Sequence, residues 1–169
     1  MQDYGTAQKL DPKMKTVWRI SGVLNTVLNF GGSILILLSI SAGFSSSTEQ
    51  TPAIINILLI VVLLLGAVFL ISSLSFIPNL RYKYWSYSIT NNFLTLTHGV
   101  LWRKRITIPF IRVQDTDTKQ GPLLRMQQLW STTVSTAAGQ HEIPGLNFET
   151  AELLRNTVAE FSRLAREDV

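Results

Sequence analysis

The sequence predicts an α+β membrane protein: a two-helix transmembrane hairpin followed by a small antiparallel β-sheet closed by a C-terminal helix. Three observations predict it. Only 15% of the 169 residues are charged, against the roughly one quarter usual in soluble domains. The deficit is concentrated: no charged side chain lies between Arg19 and Glu49, and none between Glu49 and Arg81. Beyond Pro78 the apolar residues change from continuous runs to alternation, and near the C-terminus to a helical spacing. The chain therefore divides into an N-terminal segment (1–19), a membrane hairpin (20–77) and a β-rich domain (79–169).

The apolar segments at about 20–42 and 53–77 each exceed the ~20 residues that a helix needs to cross a ~30 Å hydrocarbon core. The second is apolar around its whole circumference. The first carries Asn25 and Asn29 and is followed by Gly31-Gly32. Its length, its distance from Met1 and the lack of a clean small-residue cleavage site argue for a retained helix rather than a signal peptide. The short connector 43–52, GFSSSTEQTP, makes the pair antiparallel. Lys9, Lys13, Lys15 and Arg19 precede the first helix, Arg81 and Lys83 follow the second, and the connector has no Lys or Arg. The positive-inside rule then puts both termini in the cytoplasm of a bacterial cell membrane.

Asn25 and Asn29, four apart, share a helical face, with Gly22 and Gly32 nearby on that side. Without an ionisable group in either span, Asn25, Asn29 and Gly32 are read as helix-packing residues rather than a transport site. Ser72, Ser73 and Ser75 are their expected partners.

In 84–90 Trp85, Tyr87 and Ile89 alternate with serines, and in 93–99 Leu94 and Leu96 alternate with threonines; Asn91-Asn92 between them marks a turn. Residues 103–109 alternate again through Ile106 and Ile108, and 130–138 read as a Thr/Val-rich strand. Strands this closely spaced pair antiparallel with one face buried. In 111–118 Asp115 and Asp117 share the parity of Val113, which would bury two acids; a bulge after Val113 turns Thr116 and Thr118 inward instead. Gly121-Pro122 stops that strand, and Pro122 opens a short helical turn carrying Leu123, Leu124 and Leu129 under the sheet. Asn147 is the expected N-cap of the last helix. Its apolar stripe is Ala151, Leu154, Val158, Phe161 and Ala165.

These residues carry a resemblance. Trp85 to Thr90, Gly99-Val100-Leu101, Ile108-Pro109, Arg112-Val113-Gln114, Gln120-Gly121-Pro122-Leu123 with Arg125, and Ile143 to Leu146 follow, in order, the pattern of the bacterial pleckstrin-homology-like domain. The Arg-Val-Gln to Gln-Gly-Pro-Leu block is its most specific part. The resemblance covers about 80–165, and with the two-helix preface the chain is similar to the short YdbS-like membrane proteins. It implies a PH-like fold, a curved antiparallel sheet or partial barrel plugged by the C-terminal helix. Thr116 and Thr118 stand where the family tends to have valine, and Gln127-Gln128 where phenylalanine-glycine is usual.

Chemistry-bearing patterns are sparse. With no cysteine and two histidines, the sequence offers no nucleophile elbow, phosphate loop or paired metal ligands. His98 reads as a solvent-facing turn residue, and His141-Glu142 as half of a metal site without a second half. Asp115-Thr-Asp117 resembles the D-x-D of sugar-nucleotide transferases, but solvent exposure explains it. No enzyme, metal or cofactor is expected. The membrane- or lipid-facing candidates are Arg81, Lys83, Trp102, Arg103, Lys104 and Arg105. The net charge of +4 suits an anionic surface. The tether beside a bilayer argues against nucleic acid. Expected partners are membrane lipids and another membrane or PH-like-domain protein, as the family suggests, with a homo-oligomer as a further possibility. The function expected is a membrane-anchored scaffold or interaction module; the alternative is a sensor of anionic lipid headgroups.

Overall fold

A computed structural model describes residues 6–46 and 53–167. The middle of the expected connector, including Glu49, lies outside the described residues. The chain forms two compact units, one of Trp18–Pro78 and one that joins the residues up to Val17 to Asn79–Val169.

In the first unit, helix α1 (Met14–Thr26) continues through a π turn (Val27–Gly31) into α2 (Gly32–Ser46). Helix α3 (Ala53–Ile71) continues through a second π turn (Ser72–Phe76) into α4 (Ile77–Tyr84). The two continuous helices run Met14–Gly43 and Ala53–Tyr84, 30 and 32 residues, and both are long and apolar enough to cross a bilayer. Leucine, isoleucine and valine side chains such as Leu35, Leu64 and Ile71 point outward, as the lipid-facing surface of a membrane helix requires. The hydroxyls of Ser33, Ser39 and Ser72 donate to carbonyls four residues back, so they stay satisfied without water. Phe30 meets Phe69, with ring centroids 5.9 Å apart, while a Cβ at Gly22 would stand 2.7 Å from the Ser73 Cβ. Low numbers opposite high ones make the pair antiparallel.

The second unit holds two three-stranded antiparallel sheets. Strands β1 (Ser86–Ile89), β2 (Phe93–His98) and β3 (Lys104–Pro109) form one, in that order; β4 (Val113–Lys119), β5 (Trp130–Thr136) and β6 (Gly139–Leu146) form the other. Short helix α5 (Pro122–Met126) lies between β4 and β5, with Pro122 in its first turn as read from the sequence. Helix α6 (Phe148–Glu167) closes the unit; the Asn147 side chain accepts the Thr150 N–H at 2.7 Å, capping it as expected. The alternating residues Trp85, Tyr87, Ile89, Leu94, Leu96 and Ile108 are all buried, and Ala151, Leu154 and Val158 of α6 are buried with them.

The bulge occurs where the parity argument puts it. The β4–β5 register shifts between Val113 and Asp115, leaving both acids exposed and Thr116 and Thr118 half-buried. A bulge also frees a carbonyl from its ladder. That of Val113 accepts hydrogen bonds from the Ser162 hydroxyl and the Arg166 guanidinium of α6. Of the leucines near α5, Leu129 is buried, but Leu123 and Leu124 are only half-buried.

Two features depart from the reading of the sequence. Strand β6 falls in a stretch that offers no strand signal, because Gly139, Pro144 and Gly145 interrupt it. The N-terminal segment, read as separate, packs as part of the β-rich unit: Gln8 bridges Tyr87, Asp11 N–H donates to the Gly145 carbonyl at 2.8 Å, and Leu10 is buried. Gly145, at φ +67°, is needed there, since a Cβ would come within 2.7 Å of the Met14 thioether. The Lys9 ammonium also donates to the Lys83 carbonyl at 2.6 Å and the Tyr82 hydroxyl to that of Leu10 at 3.1 Å, so the segment straps the end of α4.

Candidate functional site

Strand β3 is the last strand of its sheet, paired only with β2. The Phe110 N–H donates to the Asn92 carbonyl at 3.1 Å. By the two-residue alternation of antiparallel strands, the backbone groups of Ile108 and Ile106 then also point toward β2, and those of Arg105 and Thr107 point outward. Pro109, which has no N–H, falls on the outward set, the place where an edge strand tolerates proline. Alongside this edge opens a cleft of about 690 Å³. Ile106, Ile108 and Ile111 form one wall and Ala137 and Ala138 of the β5–β6 turn another. Its ionisable lining is Arg112, His141 and Arg166, with no acid. Arg166 is already turned to the Val113 carbonyl, whereas Arg112 is exposed. The cleft is therefore apolar with a positive rim, suited to an extended ligand carrying negative charge.

The sequence-predicted surface candidates gather at the other end of β3. Arg81 and Lys83 occupy the last turn of α4. The Arg103 guanidinium lies 4.8 Å from the centroid of the Tyr84 ring and the Lys83 ammonium 5.7 Å from it, a cation–π pairing. Trp102 is exposed, and so are Lys104 and Arg105, which pair with His98 and Thr97 of β2. As neighbours on a strand, Lys104 and Arg105 point to opposite faces, so the three bases do not converge on one ligand.

The helix-packing candidates fall elsewhere than expected. Asn25 and Asn29 are both exposed, and the Asn29 amide donates to the Asn25 carbonyl of its own helix at 2.8 Å, within the π turn. A Cβ on Gly32 would meet nothing within 4 Å. Close approach is made by Gly22 against Ser73 and by Gly66, whose Cβ would lie 3.3 Å from the Phe30 ring. The reason is local: the wide π turn at Val27–Gly31 rotates the remainder of the helix away from the face that straight 3.6-residue counting assigns.

His98 is not a solvent-facing turn residue. It ends β2 half-buried, stacks on Trp85 at 6.2 Å, and its Nδ1 is buried without a hydrogen-bond partner. Burial, then the Lys104 charge and His141, holds its pKa below the usual histidine value. Burial likewise pushes the Tyr87 hydroxyl up to about 12. A histidine whose folded pKa is depressed favours the fold while neutral, so its contribution is intact above the unfolded value of about 6.5 and is lost as pH falls through the lower folded value. Thermal melting of the detergent-solubilised protein between about pH 7.5 and pH 5 is expected to show a falling midpoint. His98→Gln is expected to flatten that slope. An equally steep slope in the variant removes His98 as its source.

Among the described residues no group of three His, Asp or Glu is placed to hold a metal ion. Asp115 and Asp117 point to solvent, and the Asp115 carboxylate accepts the N–H of Thr116 at 2.8 Å. The cleft residues Ile111 and Arg166 were not singled out by sequence reasoning; Pro109 was the one signal for a free edge nearby.

A pattern of two apolar helices followed by this β-rich unit has relatives. The bacterial PH domain family matches residues 23–162, reaching back into the first helix as well as covering both sheets. The chain belongs to the bacterial PH domain family. It is 31% identical to the UPF0699 transmembrane protein YdbS of Bacillus subtilis (strain 168) over 161 residues, covering 95% of this chain and 96% of that one. No solved structure matches. The chain is thus a membrane protein with a PH-like domain, and the match agrees with the architecture that the resemblance implied.

Proposed function

We propose that this bacterial PH domain protein is a non-catalytic, membrane-anchored interaction module, with both termini in the cytoplasm, that binds a protein partner in the cleft beside β3. The apolar cleft along an unpaired strand edge carries this reading: exposed edges and apolar grooves are costly to leave open and serve as docking sites. The distribution of bases, on both outer flanks of the helices and not in the connector, supports the orientation. Partners include another membrane protein, a PH-like-domain protein or a second copy.

A photo-activatable residue at exposed Ile111 tests it in intact cells. A specific adduct is expected, and Arg112→Glu is expected to cut its yield roughly tenfold, as loss of a charge-assisted hydrogen bond of about 1.4 kcal/mol or more would. No adduct, or one indifferent to Arg112→Glu, rules out the cleft as a charge-selective protein site.

A second reading is favoured by the gathering of Arg103 and Lys83 about Tyr84 at the end of α4. Bases held there contribute about 1 kcal/mol each toward an anionic membrane surface, so anionic lipid headgroups are a further ligand of the module.

A further inference from the structure

The loop between β2 and β3 carries the two most exposed large apolar side chains among the described residues, Leu101 at 90% and Trp102 at 88%. The loop's shape is built in. Gly99 sits at φ +109°, and a Cβ there would fall 2.0 Å from the Trp102 carbonyl oxygen, so the backbone folds tightly over a residue without a side chain and holds the next apolar pair outward. Arg103, Lys104 and Arg105 follow at once, and no acid interrupts Gly99–Arg105.

The loop is also placed along the chain. Arg103 lies over Tyr84, the last residue of the helix that begins at Ala53. Counting along that helix at 1.5 Å per residue, Tyr84 stands about 10 Å beyond Ile77, where the apolar run ends. This is the depth of the headgroup layer, which adds several ångströms to each side of the hydrocarbon core.

We infer that the β2–β3 loop is an interfacial anchor: Leu101 and Trp102 enter the surface of the bilayer that the chain's own helices span, while Arg103–Arg105 pair with its anionic headgroups. Tryptophan partitions to that interface, and an apolar tip beside bases is the composition that binds anionic bilayers peripherally. Neither Leu101 nor Trp102 lines the cleft beside β3, so the anchor fixes the attitude of the module while leaving that cleft open. The inference builds on the lipid reading above and goes past it, because the apolar tip rather than headgroup charge does the inserting.

The absence of cysteine from the sequence makes the test clean. Leu101→Cys in the full chain takes a polarity-sensitive fluorophore at a single position, and Gln140→Cys on exposed β6 serves as reference. Both are reconstituted into phosphatidylcholine vesicles with and without phosphatidylglycerol. In the anionic vesicles the label at 101 is expected to shift to the blue, to be quenched by lipids bearing a shallow nitroxide, and to be protected from aqueous iodide; the label at 140 is expected to stay open to iodide. Accessibility of 101 to iodide matching that of 140 overturns the anchor. So does shielding from both quenchers, which means that protein covers the loop. Insertion undiminished in neutral vesicles, and in an Arg103→Glu/Lys104→Glu/Arg105→Glu background, supports the apolar anchor but overturns the role given to headgroup charge.

Discussion

Replacing Phe110 with alanine is expected to lower the stability of the β-rich unit by about 3–5 kcal/mol, the usual range for deleting a fully buried phenylalanine. Phe110 is 1% exposed and begins the 3-10 turn Phe110–Arg112 that carries the chain from one sheet to the other. Its ring meets Phe161 of α6 with centroids 5.3 Å apart and planes tilted by 41°, a geometry that adds to simple burial. Its N–H also holds the Asn92 carbonyl of the β1–β2 turn. One side chain thus joins the first sheet, the crossover and the closing helix. Domains are stable by only about 5–15 kcal/mol, so the loss consumes a large share. Denaturant unfolding of the detergent-solubilised chain, followed by tryptophan fluorescence, measures it. Phe161→Ala is expected to cost less, since Phe161 is half-buried. The double variant should fall short of the sum by about 0.5–1.5 kcal/mol, the coupling of an aromatic pair. A loss below about 1 kcal/mol for Phe110→Ala contradicts its central place in the core.

Most of this core was legible because it obeys period-two alternation. Tyr87, Ile89, Leu94, Leu96 and Ile108 are spaced so that one face is apolar, and each is buried. The bulge at Val113 was legible for a subtler reason: two acids at core parity are so costly to bury that the ladder must slip. Strand β6 was not legible. Its pairing with β5 is imposed by tertiary contact, and β5 is buried at Ser131, Thr132, Thr133 and Val134 in succession because it is covered on both sides. Local propensity carries no trace of such covering.

The candidate site was less legible than the core. The sequence shows Arg103, Lys104 and Arg105 as a cluster, but not that Arg103 turns to Tyr84 nor that Leu101 stands out beside Trp102. The cleft draws on Ile106 and Ile111, Ala137 and Ala138, and Arg166, residues from three parts of the chain with nothing in common but proximity. Strand order decides that β3 is an edge, and strand order is a property of the whole fold.

The membrane helices give the last expectation. Gly22→Leu is expected to weaken their packing by about 1–3 kcal/mol, the cost of overfilling a tight contact. A Cβ at Gly22 meets the Ser73 Cβ at 2.7 Å, and both Ser73 and Thr26 are buried beside it, with the Thr26 hydroxyl donating to the Gly22 carbonyl at 2.8 Å. The atom in the way belongs to the root of a side chain, so relief requires the helices to separate. In lipid no hydrophobic force compensates, because association rests on close packing. Gly32→Leu is the decisive control, since nothing lies within 4 Å of its added Cβ; it is expected to stay within about 0.5 kcal/mol of the parent. Titration of mixed micelles with a denaturing detergent, read by circular dichroism, compares the two. Equal losses would mean that the helices meet through the face carrying Asn25, Asn29 and Gly32 after all. A loss confined to Gly22→Leu means that the π turn, and not the spacing of polar residues in the sequence, selects the surface on which these helices pack.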